Sequence, residues 1–186
     1  MQNSIIKVKW KLGFSKISAA RRFENVHAQL VYLPATQLEP GKVVTHAAAT
    51  IGVLDAGVYP EGNCKLVDEV TTALNKNGFS ARPNPTVMRF KYGKLIMNLG
   101  NALAAVAPPG DETKEIRSQL RTETETCFAI AGIDCASPEE GKVRRGNLMK
   151  QSSVAGQDRV AGSSWQSLAR GTGNIETDFL NGEIVL

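Results

Sequence analysis

The sequence predicts an α+β fold, in which a short β-rich segment over residues 1–85 precedes a mainly α-helical domain over residues 86–186. Strand-like apolar runs broken by turns fill residues 25–59, whereas apolar residues recur at helical spacing after residue 86. Between these regions, Pro83 and Pro85 exclude a helix. Hydrophobic residues make up 42% of the chain and charged residues 22%, as in ordinary globular domains.

Three strands are predicted in the β-rich segment. The first covers residues 26–33 and ends at a proline, and a Pro-Gly turn at residues 38–41 follows it. Two shorter strands are predicted at residues 42–48 and 50–54. A loop at residues 55–62 then leads into the first helix, for which Asn63 is the expected N-cap.

The later helices have local start and stop signals. Asn77 and Gly78 close the first helix, and Pro108 stops the second one. Ser137 is a predicted N-cap, because a proline and two glutamates follow it. The helices predicted after the first one cover residues 86–106, 111–132, 137–149 and 163–170.

Composition argues against several classes of partner. The net charge is +4 and aromatic residues make up only 6%, so nucleic-acid binding is not predicted. No apolar run approaches the roughly 20 residues that a membrane span needs. The N-terminus is basic and lacks the apolar core of a secretory signal, which predicts a cytoplasmic protein.

Cysteine and histidine residues do not suggest a metal site. The three cysteines show no C-x-x-C spacing. His27 and His46 lie in strand-like stretches without further ligands at a useful spacing, so we expect structural roles for both. An odd number of cysteines also fits a reducing compartment.

A stripe of polar residues stands out in the predicted helix over residues 86–106. Lys94, Asn98 and Asn101 are spaced i, i+4 and i+7, which places them on one helix face among leucine, isoleucine and methionine. An unpaired buried polar group costs roughly 1–3 kcal/mol, and a charge costs more. These side chains therefore need partners, and a bound substrate is one candidate.

The C-terminal tail holds a second group of polar residues. Ser163 and Ser164 stand where a helix is predicted to begin, and such a position suits a carboxylate ligand. Glu176 and Asp178 follow a glycine-rich turn. Considered alone, the serines also fit simple helix capping, and the acids fit a solvated surface.

Together these motifs resemble the ketopantoate reductase (2-dehydropantoate 2-reductase) family. The resemblance rests on Lys94-Leu-x-x-Asn98, on Ser163-Ser164, on Glu176-Thr-Asp178 and on Asn181-Gly182, in that order. Ser164 and Glu176 are 12 residues apart, as in that family. The resemblance covers roughly residues 19–186.

The resemblance implies an NADPH-dependent oxidoreductase that reduces ketopantoate to pantoate, on the route to pantothenate and coenzyme A. Lys94 would be the general acid, and Glu176 would orient the lysine or the cofactor. Asn98 and Asn101 would bind the substrate, and Ser164 would hold its carboxylate. In many relatives the second asparagine lies four residues after the first, whereas here the interval is three.

The sequence also departs from the family, because it contains no Gly-x-Gly-x-x-Gly motif. Residues 1–85 are then expected to be a remnant of a Rossmann-type sheet, namely its later strands and one helix. Residues 86–186 would resemble the C-terminal domain of 6-phosphogluconate dehydrogenase, truncated at its C-terminus. The NADPH site is expected to be incomplete without an N-terminal half.

Two functional hypotheses follow. The first is a reductase that binds a small 2-keto acid and a nicotinamide cofactor. The alternative is a non-catalytic helical module derived from the same family, which forms a homodimer through exposed apolar helix faces.

Overall fold

A computed structural model describes residues 19–150, 154, 162–172 and 175–185 of the 186-residue chain. After a helical end at Ala19 and Ala20, four strands precede the remaining helices. They are β1 (His27–Tyr32), β2 (Ala35–Thr36), β3 (Val44–Thr45) and β4 (Val53–Val58). The helices are α1 (Lys65–Lys76), α2 (Val87–Asn98), α3 (Asn101–Val106), α4 (Asp111–Ile130), α5 (Pro138–Arg145), α6 (Ser163–Ala169), α7 (Thr177–Leu180) and α8 (Gly182–Val185), with a 3-10 turn at Gly146–Met149 between α5 and α6. The predicted order of a β-rich part followed by a helical part is confirmed.

The main sheet is built on β4. Strand β1 pairs with it antiparallel, in a register that runs from His27 opposite Val58 to Tyr32 opposite Val53. On the other edge of β4, bridges to Ser80 and Pro83 run parallel, so β4, α1 and residues 80–83 form a β-α-β crossover. Strands β2 and β3 form a separate small antiparallel pair.

Three predicted boundaries in this region are wrong. The loop predicted at residues 55–62 begins too early, because β4 continues to Val58 and Asp55 lies inside it, 1% exposed. The strand predicted at residues 42–48 is reduced to Val44–Thr45. The N-cap of α1 is Cys64 rather than Asn63.

Asp55 is buried because a distant arginine neutralises it. Arg144 of α5 donates from Nε and Nη2 to the two carboxylate oxygens of Asp55, each at 2.6 Å. The Arg82 backbone N–H donates a further hydrogen bond at 3.0 Å. This bidentate ion pair joins the sheet to the helical part.

Helix α2 lies between the sheet and the other helices. Val87 and Met88 pack with Leu30 and Val53 of the sheet. Farther along α2, its apolar side chains join those of α4 and α7 in a second core, made of Leu95, Leu99, Phe128 and Leu180. Helix α2 therefore contacts both parts of the fold, and its residues are fixed from two sides.

The helix predicted over residues 86–106 is interrupted. Helix α2 ends at Asn98 and α3 begins at Asn101, with Leu99 and Gly100 forming a turn between them.

By contrast, the predicted start of α5 is confirmed by a capping box: the Glu140 N–H donates to Ser137 Oγ at 3.1 Å, and the Ser137 N–H donates to Glu140 Oε2 at 2.8 Å. Within the described residues, no helix combines the length and apolarity that crossing a bilayer requires.

Candidate active site

Lys94 is the central group of the candidate site. It lies on the third turn of α2, and its ammonium donates a hydrogen bond to the Val31 carbonyl on β1. The ammonium also lies 5.4 Å from the centre of the Tyr32 ring, within cation–π range. Burial lowers the pKa of Lys94 to about 8, because desolvation disfavours the charged form.

Glu176 is the acidic residue whose charge affects the pKa of Lys94. It immediately precedes α7 and is exposed. Its negative charge raises the pKa of Lys94, opposing the larger effect of burial. The fold thus brings together two groups that are 82 residues apart in sequence, so that the charge of one influences the protonation of the other.

The two candidate asparagines flank the helix interruption. Asn98 is the last residue of α2 and Asn101 is the first of α3, so an interruption of the helix separates them. The prediction of one continuous helix through these positions is therefore wrong. That Lys94, Asn98 and Asn101 present their side chains on one face stays a prediction.

A side chain from the C-terminal tail binds the turn between α2 and α3. Asn181 donates from Nδ2 to the Leu99 carbonyl at 3.1 Å. Asn181 follows α7, the helix that Glu176 precedes, so this bond ties the glutamate's helix to the turn between Asn98 and Asn101. Two other buried atoms of this region, Thr177 Oγ1 and Asn181 Oδ1, have no hydrogen-bond partner among the described residues.

Ser164 lies at the beginning of α6 and is 4% exposed. Helix α6 packs beside α3, and a Cβ placed on the preceding residue, Gly162, would lie 3.8 Å from Asn101 Oδ1. Gln166 fastens α6 to the small sheet: its Oε1 accepts from the Gln37 N–H at 3.0 Å, and its Nε2 donates to the Ala35 carbonyl at 3.2 Å. The helix that carries Ser164 therefore packs against the helix that carries Asn101.

Sequence reasoning did not identify the groups that surround Lys94. The Val31 carbonyl and the Tyr32 ring both belong to β1. Strand alternation places Tyr32 on the same face as Leu30 and Ala28, which is a usable signal for its burial. The contact with Lys94 is not readable from spacing, because it joins a strand to a helix 62 residues later.

Each of the two histidine rings has a side-chain partner. His27 Nε2 lies 3.3 Å from Cys64 Sγ, and His46 Nε2 lies 3.1 Å from Thr36 Oγ1. Over the described ranges, no group of three or more histidine, cysteine and acidic residues is arranged to hold a metal ion. These contacts agree with structural roles for both rings.

The described residues do not fit a complete nicotinamide dinucleotide site. Pyrophosphate binding in a β-α-β unit requires closely spaced glycines where the strand passes into the helix. Here the β4–α1 connection carries Gly57 and Gly62, separated by Val58, a cis Tyr59–Pro60 bond and Glu61, so the motif is absent from this crossover. Glu176 is the candidate cofactor-facing residue that remains.

Comparison with solved structures identifies the fold. D-mandelate dehydrogenase in complex with NADH superposes with a TM-score of 0.67 and 17% identity, over 91% of this chain and 58% of that one. The 2-dehydropantoate 2-reductase from Methylococcus capsulatus gives a TM-score of 0.64 and 19% identity, over 90% of this chain and 57% of that one. The PanE/ApbA family ketopantoate reductase from Ralstonia eutropha JMP134 gives 0.62 and 24%, over 86% and 51%.

All three neighbours are reductases or dehydrogenases by name, and at 17–24% identity they show a common fold. The predicted resemblance to ketopantoate reductases is confirmed at the level of the fold. The chain spans about half the length of the structures that it matches. No family model matches the sequence, and no curated protein matches it closely enough to count as a relative.

Proposed function

We propose that this chain carries the substrate-protonating part of an NAD(P)-dependent 2-oxo acid reductase, of the 2-dehydropantoate 2-reductase kind. The observation that supports it most is the placement of Lys94 against the Val31 carbonyl and the Tyr32 ring, in a fold shared with ketopantoate reductases. Partial burial there lowers the pKa of Lys94 to about 8, and the charge of Glu176 opposes that shift. The division at residue 85, the cytoplasmic location and the substrate remain predictions.

The chemistry assigned to Lys94 is proton donation to a ketone oxygen. With a pKa of about 8, the side chain is mostly protonated at pH 7, and it is a stronger acid than an exposed lysine. As the carbonyl carbon is reduced, its π electrons move to the oxygen, and the ammonium stabilises the developing negative charge. The oxygen then takes one proton from Lys94, which is left as a neutral amine.

The remaining candidates would bind and orient the substrate. Asn98 and Asn101 flank the Leu99–Gly100 turn, and their amides can donate to a hydroxyl or carbonyl oxygen. Ser164 would receive the carboxylate of the 2-oxo acid. A reduced nicotinamide would supply the hydride, and in this chain Glu176 is the proposed contact with it.

The direct test mixes the purified chain with NADPH and ketopantoate and follows absorbance at the nicotinamide band. We expect turnover that Lys94→Ala abolishes and that Lys91→Ala retains. Lys91 is a matched control, because it lies on the same helix and donates to the neighbouring strand carbonyl of Gln29 at 2.6 Å. Ketopantoate binding is measured separately by calorimetry, which needs no cofactor.

The outcomes separate the hypotheses. Ketopantoate binding that is weakened by Asn98→Ala, without turnover, would show that the substrate side is intact and the cofactor side is missing. Absence of both binding and turnover in a stable dimer would refute the proposal and support the non-catalytic module. Several apolar helix residues are exposed and available to such a dimer, with Val106 at 74%, Ile130 at 83% and Val143 at 82%.

A second test concerns Glu176. Removing its charge with Glu176→Gln takes away an interaction that raises the pKa of Lys94, so that pKa should fall below about 8. NMR titration of the Lys94 side-chain carbon measures it. Asp178→Asn is the control, because Asp178 is an exposed acid two residues away and does not act on Lys94. An unchanged lysine pKa in Glu176→Gln would contradict the assigned pairing.

A further inference from the structure

A cavity of about 390 Å³ lies on another side of α2 from the lysine site. Its volume is in the range of small-molecule sites. Aromatic and aliphatic groups form most of its wall, and Lys94 is not part of it. The lining residues that matter here are Tyr32, Phe90, Met97, Cys135, Gly141 and Arg145.

Arg145, the last residue of α5, is held in this cavity by three contacts. Its guanidinium carbon lies 4.9 Å from the centre of the Tyr32 ring, and its Nη1 lies 3.6 Å from Met97 Sδ. The guanidinium also folds back over Gly141, where an added Cβ would approach Nη1 to 3.1 Å. A glycine one turn earlier thus makes room for the guanidinium, which is positioned before any ligand arrives.

None of these contacts neutralises the charge. Neighbouring arginines in the same region have carboxylate partners: Arg144 pairs with Asp55, Arg89 with Glu140 and Asp134, and Arg121 with Glu125. In the described part of the chain, no carboxylate pairs with Arg145. A thioether sulfur is a weak acceptor, and the aromatic face attracts a cation without removing its charge.

The charges along the cavity wall therefore leave one positive charge uncompensated. Arg121 and Glu125 also line the cavity, but they form a 2.8 Å ion pair in which their opposite charges compensate each other. Charge complementarity then favours a ligand with a single negative charge, and the apolar wall favours a hydrocarbon or aromatic body.

We propose that this cavity binds an organic monocarboxylate with an apolar body, whose carboxylate pairs with Arg145. Tyr32 and Phe90 form the apolar surface, and the prepositioned guanidinium gives specificity for the anion. The site is separate from the Lys94 site and does not depend on its proposed reaction. The two share Tyr32, whose ring contacts both cations.

The test uses 2-naphthoate as the probe and 2-naphthamide as its uncharged counterpart. Calorimetry on the intact chain should show one site that prefers the acid over the amide by about tenfold or more. Arg145→Gln should abolish that preference, and Arg145→Lys should retain part of it. Arg82→Gln is the matched control, since Arg82 is an exposed arginine outside the cavity.

A second readout locates the probe. Cys135 lines the cavity whereas Cys127 does not, so bound 2-naphthoate should slow alkylation of Cys135 while leaving Cys127 unchanged. Mass spectrometry of the alkylated peptides gives both rates in one sample. Equal affinity for acid and amide, a preference that survives Arg145→Gln, or equal protection of both thiols would each overturn the proposal.

Discussion

Substituting Lys94 with methionine should alter the pH dependence of stability in a way that measures its burial. The folded-state pKa of about 8 lies below the ordinary lysine value of 10.5, so the unfolded chain binds more protons between these values. Stability of the native protein should therefore rise with pH across this window. Methionine has no proton to bind, and the variant lacks this contribution.

The magnitude follows from the two pKa values. At pH 7 the linkage costs the wild type about 3 kcal/mol, and at pH 10 the remaining cost is about 1 kcal/mol. The stability difference between Lys94→Met and wild type should therefore shift by about 2 kcal/mol from pH 7 to pH 10. Loss of the bond to the Val31 carbonyl offsets the gain at pH 7, but it affects both pH values similarly.

Urea unfolding of both proteins at pH 7, 8.5 and 10 gives the differences directly. Contributions from all other titrating groups cancel in the comparison. Lys142→Met, at an exposed position on α5, controls for the loss of a lysine charge. A difference for Lys94→Met that stays constant within about 0.5 kcal/mol across the series would refute the assignment of a buried, perturbed lysine.

Two further predictions concern side chains that join distant elements. Asn181→Ala leaves the Leu99 carbonyl without its donor and should lower the free energy of unfolding by about 1–3 kcal/mol, whereas Asn77→Ala, which removes an exposed bond of the same type, should cost well under 1 kcal/mol by chemical denaturation. Asp55→Asn or Arg144→Met alone should each cost about 3–5 kcal/mol, because each leaves a buried group unpaired. Combining them should recover a large part of that loss in a double-mutant cycle, and additive losses would contradict the pairing.

The parts of the fold that were predicted correctly are those whose signals are local. Helix α4 begins at its expected residue, and α5 begins at a serine whose capping box is complete within four residues. Such signals involve hydrogen bonds between near neighbours, so the sequence contains both partners within one turn. The later short helices α7 and α8, of four residues each, carry too little periodicity to be recognised.

The errors occur where a distant residue decides the structure. The sequence predicts a loop at Asp55, but this residue lies inside β4, where Arg144, 89 residues away, neutralises it. At the interruption of the long helix, the Leu99 carbonyl likewise accepts a hydrogen bond from a distant residue, Asn181. Neither segment contains a sequence pattern that indicates its distant partner.

The candidate site was predicted in part for the same reason. The polar stripe singles out Lys94, the resemblance adds Glu176, and the charge of Glu176 affects the pKa of Lys94. The resemblance does not indicate where the Lys94 ammonium lies, because its position depends on contacts with the Val31 carbonyl and the Tyr32 ring. Backbone groups carry no sequence signature, so a carbonyl partner becomes visible only in the folded chain.

The turn between α2 and α3 also bears on how this segment can change in length. Inside a continuous helix, gaining or losing one residue rotates everything beyond it by about 100° and shifts it by about 1.5 Å along the axis. At Leu99 and Gly100 the helix is already interrupted, and α3 packs on α6. One alanine inserted after Gly100 would lengthen the interval between Asn98 and Asn101 at this joint without unwinding α2. We therefore expect the joint to tolerate such an insertion better than the middle of α2 does.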